Sequence, residues 1–178
     1  ITTSTKCSKK AVKKTFPRAN LEETMRLASD VTKVYNELLK VKVYDPSLTM
    51  FHLAAKCGSL TVSQLMMNSI EDQHPKNCRK QTPLHFAAEN GNLDICQLII
   101  GKNVNKGKLT NSRDCHGNTP VHMAAINGHL TVCEFLIDCE EKVDNGFSAN
   151  IQNDNRDTPL HMAAKNGYLS LCQFLVRK

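Results

Sequence analysis

The chain has no tryptophan, and its aromatics amount to three Tyr and six Phe among 178 residues. A core centred on large rings is therefore excluded, and any core must come from Leu, Ile, Val, Met and Ala. No apolar run approaches the roughly 18 residues that a membrane-spanning helix requires. Residues 1–18 contain no apolar stretch of the secretory-signal kind. The first residue is Ile1 rather than Met, so the sequence is expected to be processed or cut from a longer chain. The signatures of common chemistry are missing too: there is no Gly-rich phosphate loop, no Gly-x-Ser-x-Gly elbow, no His-Glu-x-x-His helix and no calcium loop. Eight cysteines are present without one Cys-x-x-Cys pair, the close spacing that zinc sites usually need. The chain is accordingly expected to be non-enzymatic, with no cofactor and no metal.

What is present in quantity is repetition. Thr49-Met-Phe-His-Leu-Ala-Ala, Thr82-Pro-Leu-His-Phe-Ala-Ala, Thr119-Pro-Val-His-Met-Ala-Ala and Thr158-Pro-Leu-His-Met-Ala-Ala follow one another at intervals of 33, 37 and 39 residues. Nine residues after each Thr stands a glycine (Gly58, Gly91, Gly128, Gly167), and two further on begins a second apolar run. Each unit reads as helix, glycine stop, helix. Pro83, Pro120 and Pro159 occupy the first helical position, where a missing N–H loses nothing and the fixed φ already suits a helix. The preceding Thr is the expected N-cap. The Ala pairs supply small side chains for close approach between neighbouring first helices. Residues around 102–109 and 140–147 lengthen the two later intervals; polar and Gly-containing, they are expected on exposed loops.

A period near 33 opened by Thr-Pro-Leu-His-x-Ala resembles the ankyrin repeat. The resemblance implies an all-α solenoid of helix-turn-helix units with short β-hairpin-like turns and an N-terminal helical cap. It also implies a structural role for Thr49, His52, Thr82, His85, Thr119, His122, Thr158 and His161: the ring of each His bonds the Thr hydroxyl of its own motif and nearby backbone. Four units are expected, over about 45–77, 78–114, 115–153 and 154–178, the last incomplete. The turn before Thr82 departs from the family pattern, having Asn77 and Lys80 where an acid and a glycine are usual, which puts its tight hairpin in question. His74, His116 and His129 fall outside the repeated slot and are expected at the surface.

Upstream, residues 20–44 read as a helical cap or degenerate repeat. Asn20 and Glu23 make a helix start, and Leu21, Met25, Ala28, Val31, Tyr35, Leu38 and Leu39 recur at steps of three and four. That stripe is expected to cover the open side of the first unit. Residues 1–19 form a basic arm that is expected to be disordered. Residues 1–18 hold six cations and no acid, whereas 19–178 balance at 17 of each sign, so the arm carries the whole net charge of +6. Among the cysteines, Cys96, Cys133 and Cys172 lie fourteen residues after a repeat Thr, in the apolar stripe of a second helix, and are expected to be buried. Cys57, Cys78, Cys115 and Cys139 fall near turns and are expected to be more accessible.

Family resemblance also places the partner-contact positions four, three and one residues before each Thr and seven and eight after it. In this chain they are Lys56 and Cys57 in the first unit, then Cys78, Arg79, Gln81, Glu89 and Asn90 in the second. The third supplies Cys115, His116, Asn118, Ile126 and Asn127, and the fourth Asp154, Asn155, Asp157, Lys165 and Asn166. Arg79 and Lys80 toward one end and Asp154 and Asp157 toward the other make a charge gradient along this face. The expected function is an intracellular protein-protein interaction module that holds its partner on the concave face. Two alternatives stand beside it. The repeats also resemble the cytosolic ankyrin segment of a transient-receptor-potential ankyrin-type channel, and the basic arm offers a nuclear or nucleic-acid-associated regulator, although aromatics to stack on bases are nearly missing from it.

Overall fold

The computed structural model describes residues 21–41, 45–69, 74–101, 106–141 and 148–178. The basic arm, the Asn20 cap and residues 142–147 lie outside these. Ten α-helices occur among the described residues: α1 (Leu21–Val41), α2 (Met50–Cys57), α3 (Leu60–Ser69), α4 (Pro83–Glu89), α5 (Leu93–Gly101), α6 (Lys106–Thr110), α7 (Pro120–Ile126), α8 (Leu130–Glu141), α9 (Pro159–Lys165) and α10 (Leu169–Val176). Among the described residues a single 3-10 turn covers Ser148–Asn150. No strand is formed among the described residues.

Each phrase does the same local work. Thr82 is held in extended backbone (φ −98°, ψ 166°), Pro83 opens α4, and the chain turns sharply at Gly91 (φ +71°) to begin α5. Only glycine fits there: besides the left-handed φ, a Cβ on Gly91 would lie 2.6 Å from the ring of His129 in the next unit. The helices α2, α4, α7 and α9 pack side by side as an inner row, while α3, α5 and α8 follow one another outside. The inner row is tight because its seam is alanine. Ala54, Ala55, Ala87, Ala88, Ala124, Ala125 and Ala163 have no exposed surface at all. One continuous apolar core runs from Phe51 to Leu175, filled between the rows by Ile95, Ile99, Val132, Leu136 and Leu171.

Three expectations need correction. First, α1 lies against α2 and α3, but not by the stripe read from the sequence. Met25, Ala28, Val31 and Tyr35 are exposed, Met25 to 65%. The docked face carries Leu27 and Asp30, half-buried, and Val34 at 1% exposure, which joins Leu53, Ala54 and Val62 in a small separate cluster. Both stripes have helical spacing, and the shape of the α2–α3 surface chooses between them. Second, the 102–109 link is not wholly an exposed loop. Its second half is α6, which turns Leu109 and Thr110 into the gap beside α5 and α8 and buries them. Third, the turn before Thr82 is as tight as the others. Asn77 Oδ1 accepts the N–H groups of Arg79 (3.0 Å) and Gln81 (2.8 Å), as Asp114 Oδ1 does for His116 and Asn118. Lys80 takes φ 59° without a glycine, as Arg156 takes φ 66° in the last turn.

Candidate partner-binding face

The turns and the N-terminal ends of the inner helices are fixed by one hydrogen-bonded device, repeated. In the second unit the Thr82 N–H donates to His85 Nδ1 (3.1 Å), with the Thr82 hydroxyl 2.9 Å from the same nitrogen. Nδ1 is thus an acceptor, and the network assigns the ring proton to Nε2. Nε2 then donates across the seam to the Asn118 carbonyl (3.2 Å) of the next turn. His52 reaches the Gln81 carbonyl (3.0 Å) and His122 the Asp157 carbonyl (3.0 Å) in the same way. His161 keeps the Thr158 bonds but has no Nε2 partner among the described residues, and it is exposed. Burial lowers the pKa of His52 and His122 and takes that of His85 down to about 4, so these rings are neutral clasps at pH 7.

A second clasp runs in the opposite direction, and the sequence reading missed it. Ten residues after Thr82, Asn92 Nδ2 donates back to the carbonyls of Ala55 (2.7 Å) and Lys56 (3.2 Å) at the end of α2. His129 stands at the equivalent place in the third unit. It is half-buried rather than a plain surface residue, and its Nε2 lies 3.0 Å from the Glu89 carbonyl. A lone polar residue just past a glycine carries no sequence signal beyond its fixed offset from the repeat Thr. The turns also join each other: Cys115 N–H donates to the Arg79 carbonyl (2.8 Å) and Asp154 N–H to the His116 carbonyl (3.1 Å). The three tips therefore form one edge.

Against this frame the candidate contact residues divide. Arg79, Cys78, Cys115, His116, Asp154 and Asn155 are exposed along the tips, and Lys165, Asn90, Asn127 and Asn166 are exposed at the ends of the inner helices. The three Asn side chains each donate back to a carbonyl of their own helix, Phe86, Met123 and Met162. They finish the helix and still present a carboxamide oxygen outward. Ile126 is half-buried and packs on the core. Asn118 is tied in more firmly than expected: its Oδ1 accepts from Asn153 Nδ2 (2.9 Å) and so bridges two turns. Gln81 Oε1 accepts from Asn77 Nδ2 (3.2 Å).

Five of the candidates converge. Lys56, Arg79, Gln81, Glu89 and Asn90 line one open cavity of about 300 Å³ between the first and second units, floored by Leu48, Leu53 and Phe86. The Phe86 ring stands edge-on to His52, with centroids 5.5 Å apart. The first turn is a residue shorter than the second, Asp45 lying four residues before Thr49 while Asn77 lies five before Thr82. Glu89 sits in the wall. Burial raises its pKa, and the charges of Lys56 and Arg79 pull it back down. The thiols follow the same division of faces. Cys96 and Cys133 are buried and pushed up to about 12 by that burial, Cys78 and Cys115 are exposed, and Cys57 and Cys139 are half-buried. Cys172, expected to be buried, is only half-buried because no further unit lies over α10 among the described residues.

A family model for ankyrin repeats matches three times, over residues 27–110, 51–145 and 104–178. The chain belongs to the ankyrin-repeat family. No curated protein matches it. Ankyrin repeats are in general protein-protein interaction modules without catalytic activity. No helix among the described residues is long and apolar enough to cross a membrane.

Proposed function

We propose that the concave face made by the turn tips and the inner helices α2, α4, α7 and α9 binds a protein partner. The observation that carries this reading is the split between two sets of atoms. The scaffold's inter-unit bonds use His rings, Asn92 and the Asn118–Asn153 pair together with backbone groups, while the side chains of Lys56, Arg79, Glu89 and Asn90 surround an open cavity that the fold itself leaves unfilled. A mixed lining of apolar floor and charged rim suits a peptide segment better than a small metabolite, which is held in a more enclosed site.

Chemical-shift mapping on the isotope-labelled chain with a captured partner tests the proposal. The partner is expected to shift amides of Arg79, Gln81, Glu89, Asn90 and Asn127, and to leave those of α5 and α8 unmoved. Shifts confined to the outer helices would refute it.

A further inference from the structure

Four cations crown the second and third turns. Lys76, Arg79, Lys80 and Arg113 are exposed, and none of their side chains has a hydrogen bond or ion pair among the described residues. The bond from Cys115 N–H to the Arg79 carbonyl makes the two tips a single surface. Asp114, next to Arg113, is buried and its Oδ1 is occupied by the N–H groups of His116 and Asn118, while Glu89 in the cavity wall lies within the field of Arg79. The charge of Arg113 is felt inward at His122, where after the larger effect of burial it helps depress the pKa; at His85 the opposing charge of Asp114 outweighs that of Lys76. The turns on either side differ in sign, with Asp45 on the first and Asp154 and Asp157 beside Arg156 on the fourth. Exposed positive charge is thus clustered on two neighbouring tips, the first of which meets the cavity floored by Leu48, Leu53 and Phe86 through Arg79.

We propose that these two tips hold an extended acidic segment of a partner protein, one large apolar side chain of that segment sitting in the cavity and its flanking carboxylates pairing with Arg79, Lys80 and Arg113. This rests on the concave face being the binding face. A nucleic-acid strand fits less well. Its phosphates would pass the carboxylates of Asp45 and Glu89 at the cavity, and the one aromatic ring that lines it, Phe86, is half-buried. Opposite charge at a rim mainly speeds encounter and sets register, while the buried anchor holds. An acidic stretch beside an apolar anchor meets both demands.

Selection of short random peptides on the full chain tests this. Enriched peptides should carry clustered Asp or Glu beside a Phe, Leu, Ile or Met. Arg79→Glu with Arg113→Glu should weaken the best synthetic peptide roughly tenfold and flatten its salt dependence, with only a small drop in the melting curve, because both side chains are exposed and the fold gives up little more than the charge effect of Arg79 on Glu89. The same peptide with Lys in place of its acids should recover binding to that variant. A photo-crosslinker at the anchor should label Leu48, Lys56 or Phe86. Neutral or basic peptides that still crosslink to those residues would overturn the acidic assignment and leave the concave-face reading standing. Crosslinks to α5 or α8 would remove both. Failure to enrich any peptide, or tighter binding of a single-stranded DNA oligomer with the same dependence on Arg79 and Arg113, would also overturn the proposal.

Discussion

The third and fourth units write nearly the same phrase and live in different surroundings. His122, Ala125 and Cys133 have no exposed surface, whereas their counterparts His161 and Ala164 are exposed and Cys172 is half-buried. Leu130 is half-buried and Leu169 is 69% exposed. Burial in a stack is therefore conferred by the neighbour as much as by the residue. The same letters mean core in one unit and surface in the next.

The widest gap should appear at leucine. Leu136→Ala removes a fully buried side chain from α8 and should destabilise by about 2–5 kcal/mol, while Leu169→Ala should stay within about 0.5 kcal/mol. Denaturant melts of the two variants give the answer. Similar losses would mean that α10 is covered in solution.

Acid should strike the inner seams next. The His85 pKa is lowered from 6.5 to about 4, so over that interval the folded state binds fewer protons than the unfolded one. Its contribution is complete above about pH 6.5 and is lost as pH falls toward 4, amounting to about 3 kcal/mol at 1.36 kcal/mol per unit. His52 and His122 shift in the same direction. Stability measured against pH should fall through this window, and His85→Gln should make the fall shallower. A variant with an undiminished slope would assign the acid loss elsewhere.

The clasp itself should show a smaller contrast. His122→Ala leaves the Asp157 carbonyl and the Thr119 N–H without their ring partner and should destabilise by roughly 1–3 kcal/mol; His161→Ala, with no cross-seam bond to lose, should cost less than about 1 kcal/mol. Equal losses would show that the Thr bond alone matters. The mildest probe leaves the sequence intact. Brief alkylation read by mass spectrometry should label Cys78 and Cys115 first, Cys172 more slowly, and Cys96 and Cys133 hardly at all, because burial both hides those two thiols and disfavours the reactive thiolate. Labelling of Cys133 as fast as Cys172 would erase the distinction between inner and end units.

Repetition made most of the fold legible. Thr, Pro, His and Gly at fixed offsets give caps, starts, clasps and stops, each with a local cause, and all four pairs of helices follow from them. What was not legible depends on surfaces that exist only after folding. In α1, Met25-Val31-Tyr35 and Leu27-Val34 both have helical spacing, and the choice belongs to the shape of α2 and α3. The Leu109 contact of α6 hangs on one apolar residue in a polar link, which has no period to detect. Lys80 and Arg156 enter left-handed backbone because Asn77 and Asn153 hold their turns through two N–H bonds each, a cause that lies outside the residue itself. Of the candidate site, the positions were readable from the repeat. Their convergence on a cavity was not, since that depends on how the first and second units pack, which no single motif records.

The forward clasp ends on main-chain oxygen. The acceptors are the carbonyls of Gln81, Asn118 and Asp157, three residues whose side chains differ in length and charge and which stand among the candidate contact positions. A carbonyl is supplied by any amino acid, so the bond that aligns successive units is indifferent to what is written there. Mutation can change the side chains of the proposed contact surface at these positions while the clasp persists, and copying of whole units would carry both donor and acceptor along. The same backbone atom thus serves the architecture whichever side chain stands beside it.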